Sequence, residues 1–397
     1  MSGEGASQDS GLDPVAIPGG TVERFHRPSS AEEVAQVVSE SRDATGPLLL
    51  VGGRTRLDWA NPVRGDSTGL SLSGLSGVDE FEPEEGVMHA AAGTPIRELQ
   101  ALARTEGWEL ALDPPGETST LGGTVATAAV GPRAQAFGRV ADVVLGLDVV
   151  GGDGIRSKCG GRVVKNVTGY DLAKLYCGSF GSLAVICGAW LRLRPLPAVR
   201  DAFVARTGIT ARDFKDCRSI ARCTTLRALV WSQGPEDDSA RVVIELGGSR
   251  QGVDNDREVI ARLLEIERHT VDEVDAVRDA RLGAGSEAIA LHANVLASDC
   301  REITRMMLDA GLEVSVDPGI GKIHARGPLE DCESLLAIRQ RVASRGGSTV
   351  FEKIPDDWRG DIDVFDDQGD GASIAALLKS RFDPSGILNP GRFAGRI

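Results

Sequence analysis

Two glycine pairs, Gly52-Gly53 and Gly122-Gly123, are the first candidates for chemistry in this chain. Glycine has no Cβ, so backbone N–H groups in a glycine turn can approach a ligand closely. Consecutive N–H groups in such a turn form a concavity that holds an anion. Leu48 to Val51 reads as a short buried strand, and Gly52-Gly53 follows at once. That strand-then-turn order is what a phosphate cradle requires. One such turn is ordinary. A second, in Leu121-Gly122-Gly123-Thr124, suggests two loops on the two sides of one diphosphate.

Other reactive residue types are sparse. The chain has five histidines and seven cysteines. His292 stands alone in Leu291-His292-Ala293-Asn294. His324 stands in Gly319-Ile320-Gly321-Lys322-Ile323-His324-Ala325-Arg326. An isolated imidazole on a strand is usually a sheet residue, and a metal site with one or two such ligands is incomplete. The cysteines are odd in number, scattered and without CxxC spacing. They read as buried reduced thiols rather than iron–sulfur or zinc ligands. No metal is expected.

The elements that must position these residues follow from the pattern. Thr21 to Arg27 reads as a strand, and Ser30 to Glu33 as a capping box before the periodic Val34, Val37 and Val38. That helix is expected to end near Gly46-Pro47. Leu70 to Leu75 and Val87 to Ala92 read as strands. Thr94 is the expected N-cap and Pro95 the first residue of the next helix, which Gly107 closes. Val143 to Val150 and Leu183 to Leu193 read as strands, the first followed by a turn at Gly151 to Gly154. Lys165 to Asp171 opens a short helix that stops at Gly178. Beyond Pro197 the texture changes. Val242 to Leu246 and Ala288 to Leu296 read as strands, and Val253 to Glu267 and Arg301 to Ala310 as amphipathic helices. This predicts an antiparallel sheet with helices on one face. Asp356 to Asp370 reads as a solvated acidic loop, and Ala372 to Arg381 as a last helix.

Composition sets outer bounds. The length of 397 residues suffices for two cores, and 49 glycines suit a loop-rich nucleotide site. The net charge of −14 argues against nucleic acid and anionic membrane as partners. No apolar run approaches the roughly 18 residues of a membrane span. The polar start lacks the apolar core of a secretory signal, and residues 1–20 read as a disordered tail.

The stretch from Asp113 to Pro197 closely resembles the FAD-binding domain of FAD-linked oxidases of the vanillyl-alcohol oxidase/PCMH type. The residues that carry it are Pro114-Pro115, Thr120-Leu121-Gly122-Gly123, Gly131-Pro132-Arg133, Val144-Leu145-Gly146, Gly160 to Val167, Gly169 to Leu172 and Gly178 to Leu183. Val51 to Thr55 upstream and Phe382 to Arg392 at the C-terminus agree. Within the family the chain is most similar to the smaller, E-type flavin subunit of bacterial glycolate oxidase.

The resemblance implies an α+β fold: a PCMH-type FAD-binding domain of two α+β subdomains at 21–197, an α+β cap at 198–378, and a segment at 379–397 that returns to the FAD domain. It places Gly52, Gly53, Arg54, Thr55 and Arg56 in the first pyrophosphate loop. Pro115, Thr120, Gly122, Gly123, Thr124 and Thr127 follow along the second loop and the flavin, and Ile186 reaches the adenine end through its backbone. Arg54 replaces a third glycine of the family pattern, so its side chain must point away or contact phosphate. No His or Cys stands at the usual attachment positions, which implies non-covalent FAD.

The catalytic relatives carry a paired-histidine, one-aspartate motif in the cap. The nearest stretch here runs from Asp317 to Arg326 and keeps only Lys322, His324 and Arg326 as candidates. The resemblance further implies a larger FAD-containing catalytic subunit and an iron–sulfur subunit as partners, and a small 2-hydroxy-acid as substrate. The chemistry would be hydride transfer from the hydroxy-acid to flavin within that complex. The implied location is cytoplasmic, with attachment to the inner face of the membrane only through partners. The alternatives are a stand-alone FAD-dependent alcohol or hydroxy-acid oxidase, and a non-catalytic flavin-binding interaction subunit.

Overall fold

The structure, a computed structural model, describes residues 12–44, 46–162, 171–282, 289–360, 362–366, 369 and 371–397. The chain divides into two compact units. One comprises Met1–Val130, Arg139–Leu196 and Asp367–Ile397, the other Gly131–Gly138 and Pro197–Asp366. The second unit therefore takes eight residues from inside the stretch assigned to the FAD domain, and the first unit begins its final segment at 367 rather than 379.

The first unit opens with a hairpin of β1 (Val15–Ile17) and β2 (Gly20–Val22). Val15 and Val22 pack with Phe25, Leu49 and Val51 in one core cluster. This corrects the tail expected over 1–20: from Val15 onward apolar side chains fix the chain. β3 (Phe25–His26) and α1 (Ala31–Asp43) follow. Ser30 Oγ accepts from Glu33 N–H at 3.2 Å, while Glu33 Oε2 accepts from Ser29 N–H at 2.7 Å. β4 (Leu48–Val51) and β5 (Thr68–Ser71) complete a parallel sheet in the order β3-β5-β4. β4 is a continuous aliphatic run, as suits a buried parallel strand. β5 stops at Ser71 because a 3₁₀ turn takes Leu72–Gly74.

β6 (Val78–Glu82), β7 (Val87–Ala91), α2 (Ile96–Thr105) and β8 (Trp108–Leu110) come next. α2 buries Ile96, Leu99 and Ala103 on one stripe. Thr94 does not cap it. Its hydroxyl instead accepts from Gly77 N–H and reaches the Ala91 carbonyl, and Pro95 takes the cap position. α3 (Leu121–Thr127) follows, then α4 (Ala134–Phe137) in the second unit, then α5 (Val140–Val143), β9 (Val144–Gly151), β10 (Arg156–Gly160), α6 (Leu172–Tyr176) and β11 (Ala184–Pro195). The antiparallel sheet runs β10-β9-β11-β7-β6, with β8 also on β11. Residues 165–170 of the helix expected to open at Lys165 lie outside the described residues; its remainder is α6, which ends just before Gly178.

The second unit continues with β12 (Val199–Thr207), α7 (Ala211–Ile220), β13 (Leu226–Gln233), β14 (Ala240–Gly248), α8 (Arg250–Ala261), β15 (Ile266–His269) and α9 (Asp272–Ala280). The helix expected to reach Glu267 stops at Ala261, and Ile266–His269 pairs with β12 instead. β16 (Ile289–Asn294), α10 (Cys300–Asp309), β17 (Glu313–Asp317), β18 (Lys322–Gly327), α11 (Cys332–Ser344) and β19 (Ser348–Lys353) complete the unit. Its eight strands form one sheet in the order β15-β12-β14-β13-β17-β18-β16-β19, antiparallel throughout.

Helices cover both faces of this sheet, not one. Phe214 of α7 packs against Trp231, whereas Val274 of α9 packs with Ala228 and Val243. Residues 228 and 231 point to opposite sides of a strand. Leu226 to Trp231 are all buried, so both sides need cover. Nor is the acidic stretch after Asp356 simply solvated: Ile362, Val364 and Phe365 are buried. The chain then returns to the first unit through α12 (Gly371–Phe382). Among the described residues no helix is long and apolar enough to cross a membrane.

Candidate functional site: an FAD cleft in the first unit

A cleft opens in the first unit where β4 ends. Gly52, Gly53, Arg54, Thr55, Arg56, Thr120, Gly122, Gly123, Thr124, Thr127 and Ile186 all line it. Of the residues singled out in the sequence, Pro115 is the exception. It lies behind the wall, where its carbonyl accepts from Arg56 Nη2 at 3.1 Å and from Ser119 Oγ at 2.7 Å.

The turn after β4 is packed so tightly that only glycine fits. A Cβ on Gly53 would lie 1.7 Å from the Thr118 carbonyl oxygen, and one on Gly52 would lie 2.5 Å from Thr120 Oγ1. Arg54 follows in the left-handed region at φ 61°, a conformation a bulky side chain takes only when its surroundings impose it. Its guanidinium sits 5.7 Å from the centre of the Phe25 ring. The N–H groups of Gly53, Arg54 and Thr55 meet no acceptor among the described residues. Three such donors in one turn form a fitting cradle for an anion.

The second glycine pair behaves differently. Gly122-Gly123 is not a loop but the first turn of α3, capped by Thr120. Gly122 N–H already donates to the Ala92 carbonyl at 2.7 Å, and a Cβ there would strike the Ala92 Cβ at 2.8 Å. Gly122 is thus a packing residue. A Cβ on Gly123 would meet only Thr120 Oγ1, at 3.2 Å, so at Gly123 the missing side chain leaves room in the cleft. Thr124 and Thr127 turn their hydroxyl protons back onto the helix, to the carbonyls of Thr120 and Gly123 at 2.8 Å each. Their oxygens remain able to accept.

The far wall comes from two segments that the sequence flags only as resemblance. Phe180 and Gly181 line the cleft, as do Asn389 and Arg392. Asn389, at φ 45°, ties three chain segments together. Its Oδ1 accepts from Leu50 N–H at 2.8 Å, its Nδ2 donates to the Phe180 carbonyl at 2.7 Å, and its own N–H donates to the Leu48 carbonyl at 2.9 Å. Behind it, Lys379 is buried. Its ammonium donates to the carbonyls of Ser182 at 2.8 Å and Leu388 at 2.7 Å, and to Asp383 Oδ2 at 2.7 Å. Asp383 in turn accepts from the N–H groups of Ile387 and Leu388. No His or Cys is among the described residues lining the cleft.

Of the cap candidates, His324 and Arg326 line one cavity in the second unit, and Lys322 is not among its lining residues. Gly319 to Gly321 form the turn of the β17–β18 hairpin. Gly321 has φ 72°, and a Cβ there would lie 2.0 Å from the Val295 carbonyl oxygen. The glycines taken for a degenerate motif are turn residues. Lys322 faces Asp317 across the hairpin, and Arg326 is held by both oxygens of Glu313 at 2.9 and 3.0 Å. His324 lies across from His292 with ring centres 5.8 Å apart. Burial pushes His324 well below the ordinary histidine range, helped by the charges of Arg281 and Lys322. His292 is lowered by burial too, and its Nδ1–H donates to Glu352 Oε1 at 2.6 Å. Among the described residues no group of three or more His, Cys, Asp or Glu is arranged to hold a metal ion.

Comparison with known proteins agrees with the cleft. Residues 22–160 match the family model of an FAD binding domain. The chain is 36% identical over 168 residues to glycolate oxidase subunit GlcE of Escherichia coli, covering 42% of this chain and 46% of that one. It is 34% identical over 178 residues to a D-lactate dehydrogenase of Archaeoglobus fulgidus, covering 45% and 40%. These matches span less than half of each relative. A longer and weaker match, 26% over 415 residues, is to the mitochondrial D-2-hydroxyglutarate dehydrogenase of Bos taurus, covering 92% and 75%. Among solved structures, an alkyldihydroxyacetonephosphate synthase superposes with a TM-score of 0.67 at 16% identity, over 93% of this chain and 76% of that one. The residues present fit the cofactor, and the chain binds FAD through a PCMH-type FAD-binding fold.

Proposed function

We propose that the chain is the FAD-binding subunit of a complex that oxidises a small 2-hydroxy-acid, glycolate or a D-2-hydroxy-acid. The observation that carries the reading is the cleft: a backbone cradle at Gly53 to Thr55 that fits FAD, inside the residues matched by the FAD binding domain model, in a chain part of which is similar to GlcE. When bound, the flavin supplies the two-electron chemistry. The chain supplies the anion cradle, the wall of Asn389 and Phe180, and exclusion of side chains from the space beside Gly123. The partners in this reading are a larger flavin subunit and an iron–sulfur subunit. FAD is held without a covalent bond.

The cap supports the division of labour, because Arg326 is already paired with Glu313 and Lys322 is not among the residues that line the cavity shared by His324 and Arg326. The test is purification alone and co-expressed with the two partner subunits, with flavin content and glycolate-dependent dye reduction measured on both. The expected result is FAD in both preparations and dye reduction only in the complex. Dye reduction at equal rates by the lone chain would move the chemistry into it.

A further inference from the structure

Three arginines line the FAD cleft: Arg54, Arg56 and Arg392. Among the described residues of its wall there is no Asp, Glu or Lys. In a chain of net charge −14 this is a local concentration of one sign, and a cleft lined this way draws in an anion.

The three arginines are not equivalent. Arg56 is buried, and its Nη2 donates to the Pro115 carbonyl at 3.1 Å. Arg392 is buried too, and its Nη2 donates to the Leu57 carbonyl at 2.8 Å. Arg54 is exposed. Its guanidinium makes no hydrogen bond or ion pair among the described residues. It rests instead over the ring of Phe25, 5.7 Å from its centre. That ring is fixed in the core cluster with Val15, Val22, Leu49 and Val51. Gly69 lies against it, and a Cβ there would collide with the ring. Stacking on a ring face keeps a guanidinium in place and leaves its N–H donors for another acceptor.

The backbone of Arg54 points to the same role. At φ 61° it is the left-handed residue of a turn whose successive N–H groups can converge on an anion. Glycine would take this conformation at no steric cost. An arginine is strained there, and such strain clusters where a site needs it. What the side chain adds over glycine is charge. A cradle of neutral peptide N–H groups can hydrogen-bond a diphosphate but cannot neutralise it. A guanidinium does both.

We infer that Arg54 is the counter-charge of the FAD diphosphate, with Phe25 as the platform that keeps its guanidinium at the cleft. The inference rests on the FAD cleft and is independent of which acid is oxidised.

The experiment titrates FAD into the FAD-free full chain, followed by flavin fluorescence, at low salt and at about 1 M KCl, where the Debye length is about 3 Å. The variants are Arg54→Gly, which suits the left-handed backbone, and Arg54→Asn, which tolerates it and keeps a polar side chain. At low salt both should bind FAD about tenfold more weakly than the wild type, the equivalent of ~1.4 kcal/mol. The gap should narrow at high salt. ADP, which carries the diphosphate without the flavin, should compete less well in both variants. Urea unfolding without FAD should show neither variant less stable than the wild type, which separates lost charge from lost folding. Equal FAD affinity in wild type and variants, a gap that salt leaves unchanged, a loss confined to Arg54→Gly, or ADP competition that the substitutions do not alter would each overturn the inference. A wild type that fails to bind FAD would overturn the cleft assignment with it.

Discussion

The FAD cleft and the cap cavity are built from opposite materials. In the cleft the binding groups are main-chain: three N–H groups in one turn, glycines at 52, 53 and 123, and a left-handed Arg54. In the cavity the polar groups are side chains, and nearly all of those already answer one another. A main-chain site tolerates little change in shape, because a single Cβ at Gly53 meets backbone at 1.7 Å. A side-chain cavity tolerates changes of shape but is governed by charge balance. The two regions should therefore fail in different ways.

The largest effect is expected at Lys379, which pins two cleft walls from behind. Its ammonium satisfies two carbonyls and Asp383, and Asp383 is fully buried. Lys379→Met leaves a buried carboxylate without its partner, a loss of about 3–5 kcal/mol. Urea unfolding of the FAD-free variant should show this loss. Flavin titration should show weaker FAD binding, because Ser182 and Leu388 neighbour the cleft residues Gly181 and Asn389. Unchanged stability would show that the strap at 383–392 is held by other means.

Gly123→Asp should act on binding alone. The position has room for a Cβ, so folding is spared, but the carboxylate enters the space the cofactor occupies. FAD affinity should fall by roughly a hundredfold, or ~2.7 kcal/mol, and the purified variant should be nearly colourless. Gly53→Ala should instead damage both folding and binding. A yellow Gly123→Asp protein with wild-type flavin content would refute the cleft assignment. Acid precipitation of the wild type should leave all flavin in the supernatant, because no His or Cys is among the described residues of the cleft wall.

How much of this was legible in the sequence follows the same division. The strand Leu48–Val51 and its glycine turn were readable, since a run of aliphatics ending in Gly-Gly constrains the chain locally. Gly122-Gly123 read as a loop because glycine disfavours helix. Thr120 nonetheless caps a helix there, and Gly122 is needed for contact with Ala92. Arg54 in the left-handed region had no signal, because nothing in an arginine predicts it. In the cap, the hairpin turn at Gly319 to Gly321 was mistaken for motif remnants. Read as a turn, it would have paired Glu313 with Arg326 and Asp317 with Lys322. Arg281 and Glu352 could not be found this way, as their place in the cavity depends on the packing of α9 and on a strand bulge.

A smaller effect separates the units by pH. Glu245 in the second unit is fully buried, and burial alone would raise it. The guanidiniums of Arg133, Arg200 and Arg227 outweigh that and hold it below its ordinary 4.5. A depressed carboxylate stabilises the fold above its unfolded value and loses that contribution as pH falls through the lower folded value. Stability of this unit should therefore hold near neutrality and decline below about pH 4.5. In Glu245→Gln the decline should be shallower from a lower starting point, as judged by urea midpoints across that range. An identical slope in both proteins would remove Glu245 from the account.

The smallest expected signal is turnover by the lone chain. In the cap every guanidinium that lines the cavity is already paired with a carboxylate, so glycolate and D-lactate find no unpaired guanidinium there among the described residues. Burial, with the charges of Arg281 and Lys322, holds His324 well below the ordinary histidine range and disfavours proton uptake. Efficient general-base catalysis needs a group poised near the working pH. Arg326 is already occupied by Glu313. Anaerobic stopped-flow absorbance at the flavin maximum, with either acid and no partner protein, should show no bleaching beyond a substrate-free control. Rapid bleaching that disappears in His324→Ala would make the cap a catalytic site and erase the contrast between the two regions. Rapid bleaching that survives in His324→Ala would place the chemistry in the cleft itself, whose polar side chains include Thr124, Thr127, Arg56, Asn389 and Arg392.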